Sequence, residues 1–470
     1  MRWRERVRPI GLIAILVTGC SSGPPPSSAV AVAPSAAQAS VGPASPSPAR
    51  GPSASPFPTP TPSPTPSPTS SPTLDRVAAW RADLDALLAA RDDVHPDGWH
   101  GMSRADWIAA AEAVTSRIPA MTDDQALVEL VRLAAMPSWQ GRDGHSGIFP
   151  FIPGSGTHEY PVRWWRFPEG LVITAARAPY ADLVGSRLVA IDGHPIDRVL
   201  ALVEPLAPRD SPSNLLAYGP LYLRVSELLA GLGVIARAGP ATFRLVGRDG
   251  RTDDVAIEPI SAEDDVAWNS GLPMRLPPTD ALWLRHQDEP LWWQYLPESR
   301  TVFVQQNEVS GGIADTAREI LARAKQDDVA RVVLDLRHNG GGDNTTLGPL
   351  EATLRDPAID RPGRLYVIIG RITFSAAANL ATDLEQETHA TFAGEAMGGS
   401  PNQYGDARGI DLPDGRQMVW MATRYWERST PDDQRVTIVP DIAAPLTAAD
   451  YVSGRDPVLQ AILDTPVAPG

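Results

Sequence analysis

Val332-Val333-Leu334-Asp335-Leu336-Arg337-His338-Asn339-Gly340-Gly341-Gly342 decides how this chain folds. Its apolar half is continuous, not alternating, which is the pattern of a parallel strand covered on both faces. Three glycines then end the strand and leave bare amides at its carboxyl edge, where open α/β sheets place their ligands. A second stretch, Thr373-Phe374-Ser375-Ala376-Ala377-Ala378, sets a serine between a strand and a helix. A hydroxyl beside the unpaired amides of a first helical turn suits acyl transfer. Read singly, Ser375 would be a helix N-cap and the glycines a turn.

Working outward, the α/β pattern begins at Thr301 and implies a mostly parallel sheet. Val302 to Gln305, Val329 to Leu336, Leu365 to Ile369 and Ala390 to Gly394 read as strands. Ile313 to Lys325 and Ala376 to Glu387 read as helices between them. Tyr160 to Pro259 is β-rich, with Asp192-Gly193 as a tight hairpin turn. Leu183 to Ile196 resembles the middle of a PDZ domain, which would bind peptide strands by β-addition. Leu74 to Met136 is helical, with capping signals at Ser103/Asp106 and Thr122/Gln125.

The N-terminus carries a targeting segment. Arg2, Arg4, Arg6 and Arg8 precede the short apolar run Ile10 to Thr18, too short to span a bilayer. Leu16-Val17-Thr18-Gly19-Cys20 resembles a bacterial lipobox, which makes Cys20, the sole cysteine, the expected lipidation site. Ser21 to Leu74 holds sixteen of the 48 prolines and one charge, Arg50, so it cannot pack a core. The boundaries expected are a signal peptide 1–19, a linker 20–73, a helical domain 74–150, a PDZ-like domain 155–260 and a catalytic core 265–470. The protein would then sit at the cell membrane by its lipid alone, facing the extracytoplasmic side. A formal charge of −15 argues against nucleic acid as a partner.

Asp335 to Gly342, the Ser-Ala-Ala segment at Ser375, and Pro440-Asp441 before Asp456-Pro457-Val458-Leu459 together resemble the tail-specific, or C-terminal processing, serine protease family, including its tricorn-core branch. The resemblance implies a crotonase/ClpP-like core and a peptide or unstructured protein tail as substrate. Many members pair serine with a lysine. The matching loop here, Ala396 to Asn402, has none, and Lys325, the only lysine, precedes the Asp335 strand. The tricorn branch uses an earlier histidine, matched by His145 in Gly141-Arg142-Asp143-Gly144-His145-Ser146-Gly147. His338 is the rival base, and His389 reads as a surface or capping residue.

The expected machinery is therefore Ser375 as nucleophile and His145 as base. The amides of Ala376 and of Gly341 or Gly340 form the oxyanion hole. Asp433 is favoured as the orienting acid over its neighbour Gln434, with Asp143 as another candidate. Asp335 and Arg337 are expected to be structural. No spacing of His, Cys and Asp matches a metal site, and no glycine loop matches a phosphate cradle, so no cofactor is expected. The alternative is a lipoprotein of the same architecture that binds peptide or another ligand without catalysis.

Overall fold

In the computed structural model, residues 73–268 and 281–467 are described. The signal peptide, Cys20 and most of the linker expected from the sequence lie outside them.

Three helices open the chain: Thr73–Asp93, Arg104–Arg117 and Asp123–Ala135. Ser103 accepts the Asp106 amide, and Thr122 and Gln125 close a reciprocal capping box, so the orphan amides of both helix starts are partly satisfied. The third helix buries Leu127, Val128, Leu130, Val131 and Leu133. Among the described residues no helix is long and apolar enough to cross a membrane.

The β-rich region forms an antiparallel sheet in the order Val162–Phe167, Gly170–Ala176, Arg187–Ile191, Ala241–Val246, Thr252–Ile257. Ile191 pairs with His194 across the Asp192-Gly193 turn, and both turn residues have positive φ, 45° and 79°. That conformation matches the strand twist of a two-residue hairpin.

The α/β region is a six-stranded sheet. Its order is Leu291–Leu296, Thr301–Gln306, Arg331–Asp335, Leu365–Ile369, Thr391–Gly394, Ile442–Ala443. Every neighbouring pair is parallel except the first. All five residues of Arg331–Asp335 and of Leu365–Ile369 are buried, as the unbroken apolar runs require. Ile320, Leu350 and Leu380 pack on one face, while Val458, Leu459 and Ile462 pack on the other. A further apolar core runs without a break from Trp80 through Trp164 and Leu228 to Val419 and Tyr451. The helical and β-rich regions therefore share one interior with the late strands.

Candidate active site

Two segments leave the carboxyl edge of the parallel sheet side by side. The first follows Asp335. Its carboxylate accepts both the Arg337 amide and side chain at 3.0 Å, and Arg337 forks onto Asp456 at 3.0 and 2.8 Å. Asp456 also caps the Pro457–Leu463 helix. This pair anchors the strand end, the structural role expected of it. The second segment follows Ile369. Thr373 Oγ1 donates to the Leu336 carbonyl at 2.8 Å, and the Phe374 amide donates to the Asn339 carbonyl at 3.2 Å. The glycine turn and the serine turn are laced together in this way.

Ser375 holds φ 54° and ψ −126°, and its side chain makes no capping hydrogen bond. The plain N-cap reading fails, because an N-cap keeps extended backbone and spends its hydroxyl on the helix. Positive φ at a residue with a Cβ costs about 1–3 kcal/mol and persists only where the surroundings impose it. The strained residue sits at a strand-to-helix corner, as in nucleophile elbows, and is half-buried between buried neighbours. Ser375→Gly is therefore expected to raise unfolding stability by about 1 kcal/mol while abolishing any serine chemistry. Urea unfolding measures the gain, and no gain would mean the corner is unstrained.

Gly341 lies directly against this serine. A Cβ built on Gly341 would stand 2.6 Å from Ser375 Cβ and 3.1 Å from the Ala376 nitrogen, at φ +116°. Ala376 opens the Ala376–Glu387 helix, so its amide has no partner within the helix. The Gly341 amide, by contrast, donates to Asn339 Oδ1 at 3.0 Å. Of the two glycines expected as second donor, Gly341 touches the serine but has its N–H engaged. Gln403, absent from the sequence reading, donates to the Ser375 carbonyl at 2.9 Å and to Asn379 Oδ1 at 3.0 Å.

The His145 loop is pinned from several sides. The Gly144 amide donates to Asp210 Oδ1 at 2.5 Å, Tyr404 N donates to the Arg142 carbonyl, and Ala422 N donates to Ser146 Oγ. Asp210 is fully buried, and burial pushes it up to about 7 against the lowering effect of the Gly144 and Ser400 amides. The His145 ring stacks on Phe374, with centroids 4.3 Å apart and planes 20° from parallel. An imidazole from residue 145 thus rests on the residue that precedes Ser375. Its Nδ1 is buried without a hydrogen-bond partner. Burial lowers its pKa to about 4, while Asp143 and the Tyr404 main chain pull the other way.

Asp433 does not orient this ring. Its carboxylate is taken by Ser429 Oγ at 2.7 Å and by Arg435 at 2.8 Å, and that arginine also forks onto Glu385. The Arg435 bonds hold Asp433 well below the usual carboxylate range. Gln434 accepts from Arg142 at 2.9 Å. Asp143 is buried two residues from His145 and meets Arg91 at 3.1 Å and His95 at 3.3 Å. Burial alone would raise Asp143, but His95 and Arg91 outweigh it and keep the acid ionised. The rival His338 stacks on Trp283 at 5.2 Å, and burial followed by Arg337 lowers it to about 3. His389 is exposed and bonds Asp360, as a surface residue should.

His95, His100 and Asp143 bring one ligand atom each within 4.8 Å of one another, a convergence no sequence spacing announced. The donor set does not suit a cation. His95 Nδ1 accepts the Asp97 amide at 3.0 Å, which leaves the proton of the neutral ring on Nε2, the atom facing Asp143. Arg91 already supplies a buried positive charge to the same carboxylate. The trio is a packed polar cluster behind the His145 loop, with His95 stacked on His100 at 5.6 Å.

No protein-family model matches the chain, and no curated protein matches it. Solved structures do. A point mutant of CPAF superposes with a TM-score of 0.59 at 12% identity, covering 83% of this chain and 99% of that one. The chain has the CPAF fold. Mature CPAF complexed with lactacystin agrees, with a TM-score of 0.53 at 12% identity over 80% and 96% of the two chains. The photosystem II D1 C-terminal processing protease covers 82% and 96% at 14% identity, with a TM-score of 0.39. The CPAF likeness spans the helical, β-rich and α/β regions together.

Proposed function

We propose that the protein is a serine peptidase that cleaves peptides or unstructured protein tails at the bacterial cell envelope, held there by lipid on Cys20. The reading adopts the tricorn-type pairing of serine with histidine on a crotonase/ClpP-like core. The observation that carries it is the strained, uncapped Ser375 with a buried imidazole resting on its neighbour. Ser375 Oγ attacks the scissile carbonyl as His145 removes its proton, and the carbonyl π electrons move onto oxygen. The Ala376 amide holds that oxyanion, joined by the Gly340 amide or by the Gly341 amide once it leaves Asn339 Oδ1. The oxyanion collapses, the C–N bond breaks, and the leaving amine takes the proton from His145. Water, deprotonated by His145, then releases the acyl group and restores Ser375. Asp143, not Asp433, supplies the negative field behind the base.

A fluorophosphonate probe tests this directly. Labelling of the wild type that vanishes in Ser375→Ala supports a nucleophilic serine, and a wild type that stays unlabelled overturns it. The second reading, a binding lipoprotein without catalysis, draws on the unpartnered His145 Nδ1, since hydrolytic histidines are normally oriented by an acceptor.

The base also sets a pH expectation. A histidine lowered to about 4 remains neutral, and therefore competent, well below the 6.5 of a free imidazole. The acid limb of kcat/KM should fall between pH 4 and 5, with activity at pH 5.5 close to that at pH 7. A limb centred near 6.5 would show that His145 is solvated or is not the base.

A further inference from the structure

The short antiparallel pair Asn402–Gly405 and Arg424–Glu427 lies over the base. Its register sets Gln403 opposite Trp426 and Gly405 opposite Arg424. In an antiparallel pair these four positions share one face. Gln403 on that face reaches the Ser375 carbonyl. A Cβ on Gly405 would stand 3.2 Å from Trp426 Cδ1 and 3.8 Å from His145 Cε1, so the glycine leaves room for an indole beside the imidazole. Arg424 stacks its guanidinium 3.8 Å above the same indole. Trp426 is half-buried and Arg424 is exposed.

Charge separates Arg424 from most other arginines around the site, and Arg142 spends its guanidinium on Gln434 Oε1 and the Asp433 carbonyl. Arg337 is paired with Asp335 and Asp456, Arg371 with Glu395, Arg428 with Asp383, and Arg435 with Glu385 and Asp433. Among the described residues no carboxylate pairs with Arg424. A guanidinium held flat on an indole keeps its in-plane N–H edge free, and that edge matches a carboxylate bidentately. On the peptidase reading above, we infer that Arg424 and Trp426 form a specificity subsite for an acidic side chain of the substrate, close to the scissile bond. In a chain of net charge −15, this is a local positive feature beside the base, placed to select an anionic group.

The test uses the full chain and amidated, quenched-fluorescence peptides in which a Glu, Gln or Lys is scanned along both sides of the cleaved bond. At one position, Glu is expected to exceed Gln about three- to tenfold in kcat/KM, mostly through KM, with the ratio shrinking as salt rises. Arg424→Gln should bring that ratio to one, and Arg424→Glu should turn the preference toward Lys. A Glu preference that survives Arg424→Glu, or no preference in the wild type, overturns the inference. Gain from a matched free-acid peptide, with none from Glu, overturns the side-chain assignment. Binding separates this idea from hydrolysis. Fluorescence anisotropy on Ser375→Ala should show tighter binding of the Glu peptide, lost when Arg424→Glu is added. If wild type cleaves nothing, the peptidase reading falls while this binding difference still decides the subsite, and equal binding sinks it.

Discussion

Ser375→Ala and His145→Ala should each slow peptide turnover by on the order of 10⁴- to 10⁶-fold, and the double variant should be no slower than either alone. In the proposed mechanism the two groups act on one proton, so losing either removes the same step. The His145 ring stacks at 4.3 Å on the ring of Phe374, the residue before the serine, which places the two segments side by side. Turnover of a peptide known to be cleaved by the wild type measures all three variants. Multiplicative losses, with the double slower than the singles by their product, would mean the imidazole and hydroxyl work independently. Asp433→Asn should leave turnover far less affected, since its carboxylate serves Arg435 and Ser429.

Gly341→Ala should slow reaction at Ser375 by on the order of 100-fold, the scale of a misplacement of about 1 Å at a reacting group. Two causes add. The new methyl would sit 2.6 Å from Ser375 Cβ, and φ +116° is a region that L side chains rarely adopt. Since the glycine turn and the serine turn are tied through Asn339 and Phe374, relief by moving one drags the other. Gly348→Ala is the matched control, because a Cβ there meets nothing within 4 Å and its φ is ordinary. Stopped-flow rates of probe labelling for both variants measure the difference. A Gly341→Ala protein that labels as fast as Gly348→Ala would show that the turn does not shape the reacting geometry.

What could be read from residues alone was local. The Val332–Leu336 run, the Asp192-Gly193 turn, the Thr122/Gln125 box and the helix starting at Ala376 each follow from a few adjacent side chains. Motif context singled out Ser375 and His145 one at a time, and Phe374 is what joins their two segments in the fold. No sequence signal could choose the acid, because which carboxylate is free to meet an imidazole depends on competition in space. Arg435, two residues from Asp433, captures it first. The ring stack on Phe374, the Gln403 bond to Ser375 and the buried meeting of His95 with Asp143, 48 residues apart, are products of packing with no periodicity to betray them. The strained φ at Ser375 was equally hidden, since no Gly-x-Ser-x-Gly announces it.

The unbroken interior from Trp80 to Tyr451 constrains how this chain can be engineered. Arg91 and His95, contributed by the opening helix and the turn after it, grip the loop that carries the imidazole. Trading that helix for a relative's would uncover apolar surface and loosen the grip in one stroke. Chimeras joined at the apparent borders between regions should lose cooperative unfolding, and those retaining the first helix with its own late strands should keep it.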